Sequence, residues 1–211
     1  MLQLCNFRKS YKNHLILQVD ALDIAPGVYW VQGANGSGKS TFLKALAGIT
    51  PFEGNVILNQ ETDSKKQSVA YRSAVNFAEA EPIFPDFLTG IELIKLFKSA
   101  KQGPEKQEEF YLETMQMSSY VHDPISTYSS GMLKKLSLVL AFIGRPECIL
   151  LDEPLNALDA DALPVLYSWI ATQQQEQGTM FLLSSHQVFS QGVLPALSVL
   201  SVENNTVKHS T

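Results

Sequence analysis

The sequence predicts an α/β protein with a mainly parallel sheet, an antiparallel β layer at the N-terminus and an inserted α-helical subdomain. Apolar and polar residues alternate over much of residues 2–24, as in half-buried antiparallel strands. Residues 148–151 and 180–183 are continuous apolar runs, typical of strands buried on both faces of a parallel sheet. Between the alternating segment and the first of these runs, residues 89–143 contain three helical patterns.

The N-terminal part is predicted to combine short strands with one helix. Strands are expected at residues 2–4, 15–19, 22–24, 28–31 and 56–58. Their apolar residues either have a period of two or form compact runs, as strands require. A helix is predicted over residues 39–47, because Gly48 and then Pro51 are typical helix-ending residues.

The rest of the chain is predicted to be helical first and α/β afterwards. Helices are expected at residues 89–102, 105–117, 130–143 and 160–175. The polar end of the chain, residues 203–211, is expected to fray. We therefore expect a single domain in which residues 1–80 and 145–211 form the α/β core and residues from about 81 to 144 form the helical subdomain.

Composition limits the classes of function. The 211 residues carry a net charge of -5, which argues against broad contact with nucleic-acid phosphates. Cys5 and Cys148 lack the spacing of metal ligands or of a disulfide framework, which suggests a reducing compartment. No segment approaches the roughly 20 apolar residues that cross a bilayer. The expectation is a cytoplasmic protein that reaches a membrane only through a partner.

A glycine-rich motif predicts a phosphate-binding loop. Residues 33–41 have the sequence GANGSGKST, which follows a predicted strand and opens a predicted helix. Backbone N–H groups and the helix N-terminus then favour phosphates, while Lys39 supplies a cation and Ser40 a hydroxyl ligand for Mg²⁺. A ligand-free glycine turn is the alternative, and the strand and helix around the motif argue against it. The predicted nucleotide-binding residues are Gly33, Asn35, Gly36, Ser37, Gly38, Lys39, Ser40 and Thr41.

Two acids and a histidine follow the buried strands. Asp152 and Glu153 come directly after residues 148–151, at the sheet edge where ligands bind in open parallel sheets. Asp152 is suited to hold Mg²⁺ and Glu153 to polarise the attacking water as a general base. An ordinary acidic turn is the alternative for the pair. His186 follows the next strand and is expected near the γ-phosphate, although a lone histidine is more often structural.

Together these residues resemble the ATP-binding-cassette (ABC) ATPases. Residues 128–132, with the sequence YSSGM, are similar to the signature Leu-Ser-Gly-Gly-Gln and keep its serine, Ser129, and its second glycine, Gly131. The pattern Tyr-Ser-x-Gly-Met is similar to the variant in subunits that serve export permeases of the second ABC type. The resemblance covers essentially the whole chain.

The resemblance implies a transport ATPase that binds ATP and Mg²⁺ and pairs head to tail with a second copy of itself or a homologous subunit. Ser129 and Gly131 would form a second anion site facing the partner's γ-phosphate. Asp159 matches the loop after the catalytic glutamate, and Lys39, Glu153 and His186 match the catalytic positions. Tyr11 sits where the family stacks an aromatic ring on adenine. The permease would be a separate integral membrane protein that holds this chain at the inner face of the membrane.

One departure from the family concerns its usual glutamine before the helical subdomain. Counting back from Thr89 without gaps places Ala80 there, between Glu79 and Glu81. Our hypothesis is that Glu81 or Glu79 replaces the glutamine at Mg²⁺, which prefers hard oxygen ligands. Two solvated loop acids are the alternative.

An apolar cluster lies beside this loop, and in the family this region helps to line the groove for a short permease helix. The cluster consists of Ile83, Phe84, Phe87 and Leu88. A loop that packs into its own core is the alternative.

Other functions explain less of the sequence. A soluble mechanical ATPase of the same family, as in DNA repair or translation, would carry a long coiled-coil insertion or two cassettes with a charged linker. A binding module that does not hydrolyse would not need Glu153 and His186. A small kinase with a phosphate loop would not explain residues 128–132.

Overall fold

The computed structural model of this chain describes residues 1–186, 194 and 197–210. The strands are β1 (Leu2–Tyr11), β2 (His14–Ile24), β3 (Val28–Gln32), β4 (Glu53–Leu58), β5 (Thr62–Asp63), β6 (Val75–Ala78), β7 (Cys148–Leu151), β8 (Met180–Ser184), β9 (Leu197–Glu203) and β10 (Thr206–His209). The helices are α1 (Lys39–Leu46), α2 (Ser68–Ala74), α3 (Gly90–Ala100), α4 (Gln107–Thr114), α5 (Ser130–Phe142) and α6 (Ala162–Gln177). A 3₁₀ turn covers Ile125–Thr127.

The antiparallel layer has the strand order β2-β1-β4-β5. In β1 and β2, alternate residues such as Leu4 and Val19 are buried, because a strand points successive side chains to opposite faces. The two predicted segments at residues 15–19 and 22–24 form one continuous strand. The predicted N-terminal antiparallel layer is confirmed.

The larger sheet has the order β10-β9-β3-β8-β7-β6, in which β9, β3, β8, β7 and β6 are parallel neighbours. Successive residues of its central strands enter different cores. Leu150 and Leu182 pack in the core shared with α1 and the antiparallel layer. Leu151 and Leu183 pack in the core shared with α3 to α6. Burial on both faces explains why β7 and β8 are uninterrupted apolar runs.

The helices between β6 and β7 begin and end close to the predicted positions. Thr89 caps α3 in a reciprocal arrangement with Glu92, and Ser129 caps α5. Helix α4 is shorter than predicted and starts at Gln107. Among the described residues, no helix combines the length and the apolarity that crossing a membrane requires.

Two parts of the prediction need correction. Residues 203–211 were expected to fray, but Thr206–His209 form β10 and pair antiparallel with β9, and Val207 is buried. Helix α2 and strands β5, β6 and β9 were not predicted. Residues 68–78 carry no clear period, and β6 forms by pairing with β7, a contact between residues far apart in the sequence.

Candidate nucleotide-binding site

The carboxyl ends of β3, β8 and β7 lie side by side and bring the predicted motifs together. The glycine loop follows β3, Asp152 and Glu153 follow β7, and His186 follows β8. This is the edge of an open parallel sheet at which ligands bind. The larger cavity around Met1 and Gly144 lies at the opposite, amino ends of the strands and has none of these groups.

The glycine loop is packed tightly against its surroundings. A Cβ on Gly33 would lie 2.5 Å from the carbonyl oxygen of Val202 and 2.6 Å from Ser37 Oγ, so no larger residue fits. Gly38 enters α1 with a φ of 106°, a conformation that favours glycine. The loop can therefore bring its backbone close to phosphates at the N-terminus of α1.

Lys39 lies inside this loop. Its Nζ donates hydrogen bonds to the carbonyl oxygens of Gly33, at 2.8 Å, and Ala34, at 3.1 Å. Burial lowers the pKa of Lys39, and the carboxylates of Glu153 and Asp152 oppose this shift. The ammonium is thus attracted by the acids across the site.

The loop and the acids meet at Asp152. Ser40 Oγ donates to Asp152 Oδ1 at 3.0 Å, and Ser184 Oγ donates to the same oxygen at 2.6 Å. Ser184 Oγ also accepts the backbone N–H of Glu153 at 3.0 Å. The fully buried Ser184 therefore ties both acids to the end of β8.

Glu153 and His186 are in contact. Nε2 of His186 lies 3.0 Å from Oε1 of Glu153, and the backbone N–H of His186 donates to Oε2 at 3.3 Å. The Glu153 backbone has a φ of 45°, a left-handed conformation that is unusual for a residue with a side chain. The turn after β7 thus places a buried carboxylate beside an exposed imidazole.

A cavity of about 250 Å³ lies between these groups. Its lining residues are Ile16, Asn35, Gly36, Gly38, Lys39, Ser40, Thr41, Glu153 and His186. The cavity joins the glycine loop, the Glu153 carboxylate and the His186 imidazole in one space. Ile16, which the sequence analysis did not single out, provides an apolar wall.

The oxygen ligands at the loop fit a magnesium ion bound together with phosphates. Mg²⁺ typically takes one or two protein oxygens and completes its shell with phosphate oxygens and water. Ser40 Oγ and Asp152 Oδ1 already lie within hydrogen-bonding distance of each other. In the part of the chain that the structure describes, no cluster of three or more histidine, cysteine, aspartate or glutamate side chains could hold a metal alone.

Glu79 and Glu81 are not among the residues that line this cavity. Glu79 pairs with Lys44 of α1, and Glu81 is exposed. That one of them contacts Mg²⁺ stays a prediction.

The signature residues begin α5. Ser129 Oγ accepts the backbone N–H of Met132 at 3.3 Å, and a Cβ on Gly131 would lie 3.0 Å from the carbonyl oxygen of Ala157. Ser129 is exposed at the helix N-terminus. Asp159 pairs with Lys135 of the same helix at 2.7 Å and accepts the N–H of Ala162 at 2.8 Å. The hydrogen bond from Lys135 lowers the pKa of Asp159.

Tyr11 lies at the end of the β1–β2 hairpin and is not among the residues that line the cavity. Its side chain is exposed, and Lys9 Nζ lies 4.3 Å from the ring centroid. This contact has the geometry of a cation–π interaction. Adenine stacking on Tyr11 stays a prediction.

Lys134 is a second residue that the sequence analysis missed. It is 1% exposed, and its Nζ donates to the carbonyl oxygens of Glu79, Ala80 and Asp152. Burial lowers its pKa to about 8, although the acids of the site favour the charged form. A signal was present, because Lys134 shares a helix face with Leu138 and Ala141, which are buried.

The fold and this site define a nucleotide-binding domain with a phosphate-binding loop. The chain belongs to the ABC transporter family, because the family model for ABC transporters matches residues 18–156. The predicted family is therefore confirmed.

Relatives in other organisms are similar over most of this chain. ATP-binding cassette sub-family A member 7 of Mus musculus is 32% identical over 89% of the chain, which covers 9% of that protein. The bacitracin transport ATP-binding protein BcrA of Enterococcus faecalis is 30% identical over 86% of the chain, which covers 59% of BcrA. The chain thus spans less than two thirds of the length of these relatives.

Solved structures share the fold. The structure of an ATP-binding subunit of an ABC transporter has a TM-score of 0.89 and 23% identity, covering 100% of this chain and 90% of that one. The ATP-binding cassette MJ0796, in a dimeric post-hydrolysis state bound to ADP and Pi, has a TM-score of 0.83 and 21% identity, covering 100% and 98%. The predicted α/β fold with its antiparallel layer and helices is confirmed.

Proposed function

We propose that this chain binds and hydrolyses ATP as the nucleotide-binding subunit of an ABC transporter. One observation carries the proposal: the phosphate loop and the Glu153–His186 pair line one cavity, and Asp152 accepts a hydrogen bond from Ser40 of that loop. Lys39 would bind the outer phosphates, and Ser40 with Asp152 would hold Mg²⁺, which supplies positive charge to the phosphate oxygens when bound. Glu153 would accept a proton from the attacking water, and His186 would orient Glu153 and contact the γ-phosphate.

The base assignment is tested by Glu153→Gln. We expect this variant to bind ATP and form ATP-dependent dimers, because the amide has nearly the shape of the carboxylate. Turnover should fall by about 10²–10⁴, the contribution typical of a general base. Equilibrium binding, size-exclusion chromatography with ATP and phosphate release measure the three properties.

The matched control is Glu176→Gln, which removes an exposed carboxylate from α6. It should hydrolyse ATP like the parent chain. A Glu153→Gln variant with parental turnover would exclude Glu153 as the base, and absence of Mg²⁺-dependent ATP binding by the parent would refute the proposed function itself.

We further propose that two subunits enclose two ATP molecules head to tail. The exposed Ser129 and the N–H groups at the start of α5 form a potential anion site on each chain. The dimeric cassette MJ0796 has the same fold. A complete set of catalytic residues on one chain makes a homodimer workable, and a homologous subunit would serve equally.

The membrane partner that we propose is a separate permease of the export type. The pattern Tyr-Ser-x-Gly-Met at residues 128–132 and the similarity to BcrA, named for bacitracin transport, support this direction. The chain would lie at the inner face of the membrane, with residues from about 81 to 144 as the helical subdomain that contacts the permease. Ile83 and Phe87 are 91% and 83% exposed, whereas Phe84 and Leu88 pack against the core, so the docking role is proposed for Ile83 and Phe87.

A soluble mechanical ATPase is the second candidate, because the same site would serve it. Purification from detergent-solubilised membranes distinguishes the two. A co-purifying integral membrane protein supports transport, whereas co-purifying nucleic acid and no membrane protein would support the mechanical ATPase.

A further inference from the structure

Lys134 joins three segments that meet behind the acids. It belongs to α5, and its ammonium donates to Glu79 O at 3.0 Å, Ala80 O at 3.2 Å and Asp152 O at 3.0 Å. An ammonium has three N–H donors, so every one of them is used. The first two acceptors follow β6, and the third follows β7, where the ladder between these strands ends with Asp152 N–H donating to Ala78 O.

A charged side chain is a costly way to satisfy carbonyl groups. Lys134 is almost fully buried, and its three hydrogen-bond acceptors are uncharged. At the C-terminal end of the same helix, a neutral amide satisfies two carbonyl groups. Asn76 Nδ2, from β6, donates to Ala141 O and Ile143 O. A cation behind two catalytic acids therefore suggests a role beyond packing.

Lys134 connects helix α5 to the segment that leads into α3. It lies five residues after Ser129, or about 7 Å along the helix axis. Segment 79–80 connects the core to the helices that begin with α3. A shift of either element would be passed to the backbone of Asp152, and from there to Glu153.

We propose that Lys134 is a positioning residue that fixes the Asp152–Glu153 backbone to segment 79–80 and to α5, the helix that begins at the signature residues. The acids then face the nucleotide only when segment 79–80 and α5 are in place. This inference rests on the proposed ATPase function. It concerns the coupling of three segments through one side chain and not the chemical step.

The test compares Lys134→Met with Lys101→Met. Lys101 is the matched control, because its Nζ also donates to backbone carbonyls, those of Arg72 and Val75, but at the amino end of β6. Hydrogen exchange is measured at the amides of Asp152 and Glu153, which donate to Ala78 O and Ser184 Oγ. We expect exchange of both amides to be about tenfold faster in Lys134→Met and to stay within about threefold of the parent in Lys101→Met.

Turnover provides the second readout. We expect kcat to fall by about tenfold or more in Lys134→Met while KM for MgATP changes by less than about threefold, because the phosphate loop is intact. Lys134→Arg should recover part of kcat, since it restores a buried cation with several donors. If Lys134→Met does not fold, the exchange of the Asp152 and Glu153 amides is measured in Lys134→Gln instead, with the same expected result.

The outcomes separate this inference from the proposed function. Unchanged exchange at Asp152 and Glu153, or equal acceleration in Lys101→Met, overturns the positioning role. A parent chain without ATP turnover would contradict the ATPase proposal instead, and the exchange measurement would still decide whether Lys134 fixes the acids.

Discussion

Ser184 is the residue at which the two acids of the site are tied together. Its hydroxyl donates to Asp152 Oδ1 and accepts the N–H of Glu153. Ser184→Ala should lower the free energy of unfolding by about 1–3 kcal/mol, since a buried N–H loses its partner. It should also raise the Mg²⁺ concentration needed for half-maximal turnover, because Asp152 is less well fixed. Urea unfolding and Mg²⁺ titrations of ATP hydrolysis measure both effects.

Thr179→Val is the control for Ser184→Ala. The Thr179 hydroxyl is also buried and donates to Pro146 O at 3.1 Å, but it lies at the amino end of β8. Its loss should reduce stability without changing the Mg²⁺ requirement. Equal Mg²⁺ requirements in both variants would show that Ser184 has only a structural role.

Gly33 tests whether the shape of the loop determines nucleotide affinity. In Gly33→Ala the new methyl group would overlap Val202 O, a backbone atom that cannot move aside cheaply. We expect ATP affinity to fall by about tenfold or more, since a misplacement near 1 Å has effects of this order. Gly178→Ala is the control, because a Cβ there meets nothing within 4 Å and its positive φ of 68° costs only about 1 kcal/mol. Calorimetric ATP binding that is equal in the two variants would contradict this view.

Residues in motifs were predictable from the sequence, whereas residues that support them were not. Lys39, Asp152 and Glu153 belong to patterns whose spacing is fixed by the loop and strand geometry. Ser184 and Lys134 act through contacts with residues 18 to 55 positions away. The apolar neighbours of Lys134 on its helix face indicate burial, but no local pattern encodes which residues either side chain contacts. The hypothesis that Glu81 contacts Mg²⁺ rests on its position in the sequence alone and stays a prediction.

At the scale of elements, α3 ends at a cation whose titration contributes to stability. Lys101 Nζ donates to Val75 O at 3.1 Å, and burial lowers the pKa of Lys101 to about 8 from 10.5. Between these values the unfolded chain binds more protons than the folded one, so the free energy of unfolding rises with pH. Lys101→Met should therefore gain less stability than the parent between about pH 7.5 and pH 9.5.

Urea unfolding of both proteins at the two pH values measures this difference. Lys95→Met, on the same helix, is the control, because the Lys95 side chain is exposed. It should keep the parental increase. An equal increase in the parent and in Lys101→Met would show that Lys101 does not titrate with folding in this range.

Most elements with strong periodicity were predicted to within a few residues, but β1 was predicted at residues 2–4 and extends to Tyr11, and weakly patterned elements were missed. Strand β7 has its predicted bounds because its four apolar residues are buried on both faces. Strand β10 was predicted to fray because its residues are polar, yet it adds an antiparallel edge to β9. Edge strands with one solvated face are hard to predict from a sequence, because they form by pairing with a neighbouring strand rather than by burial of a continuous apolar run.

At the scale of the whole molecule, the sheet order brings distant motifs to one edge. The sequence places the glycine loop, the acids and His186 after separate strands, and the parallel order β3-β8-β7 makes those strands neighbours. The opposite faces of the sheet carry separate cores, which divide the helices α3 to α6 from α1 and the antiparallel layer. A parallel sheet was predictable from its apolar runs, but the order of its strands was not.

Ile83 and Phe87 are exposed apolar side chains that follow segment 79–80, and we predict that they contact the permease in the assembled transporter. Burying Ile83 and Phe87 against a permease would stabilise the complex, because each removes a large apolar side chain from water. The double variant Ile83→Glu, Phe87→Glu should therefore lose the membrane protein that co-purifies with the parent, while the stability of the chain changes by no more than about 0.5 kcal/mol. Val69→Glu is the matched control, since Val69 is 74% exposed on α2, and it should retain the partner. If the double variant retains the partner as well as Val69→Glu does, the permease binds through another surface.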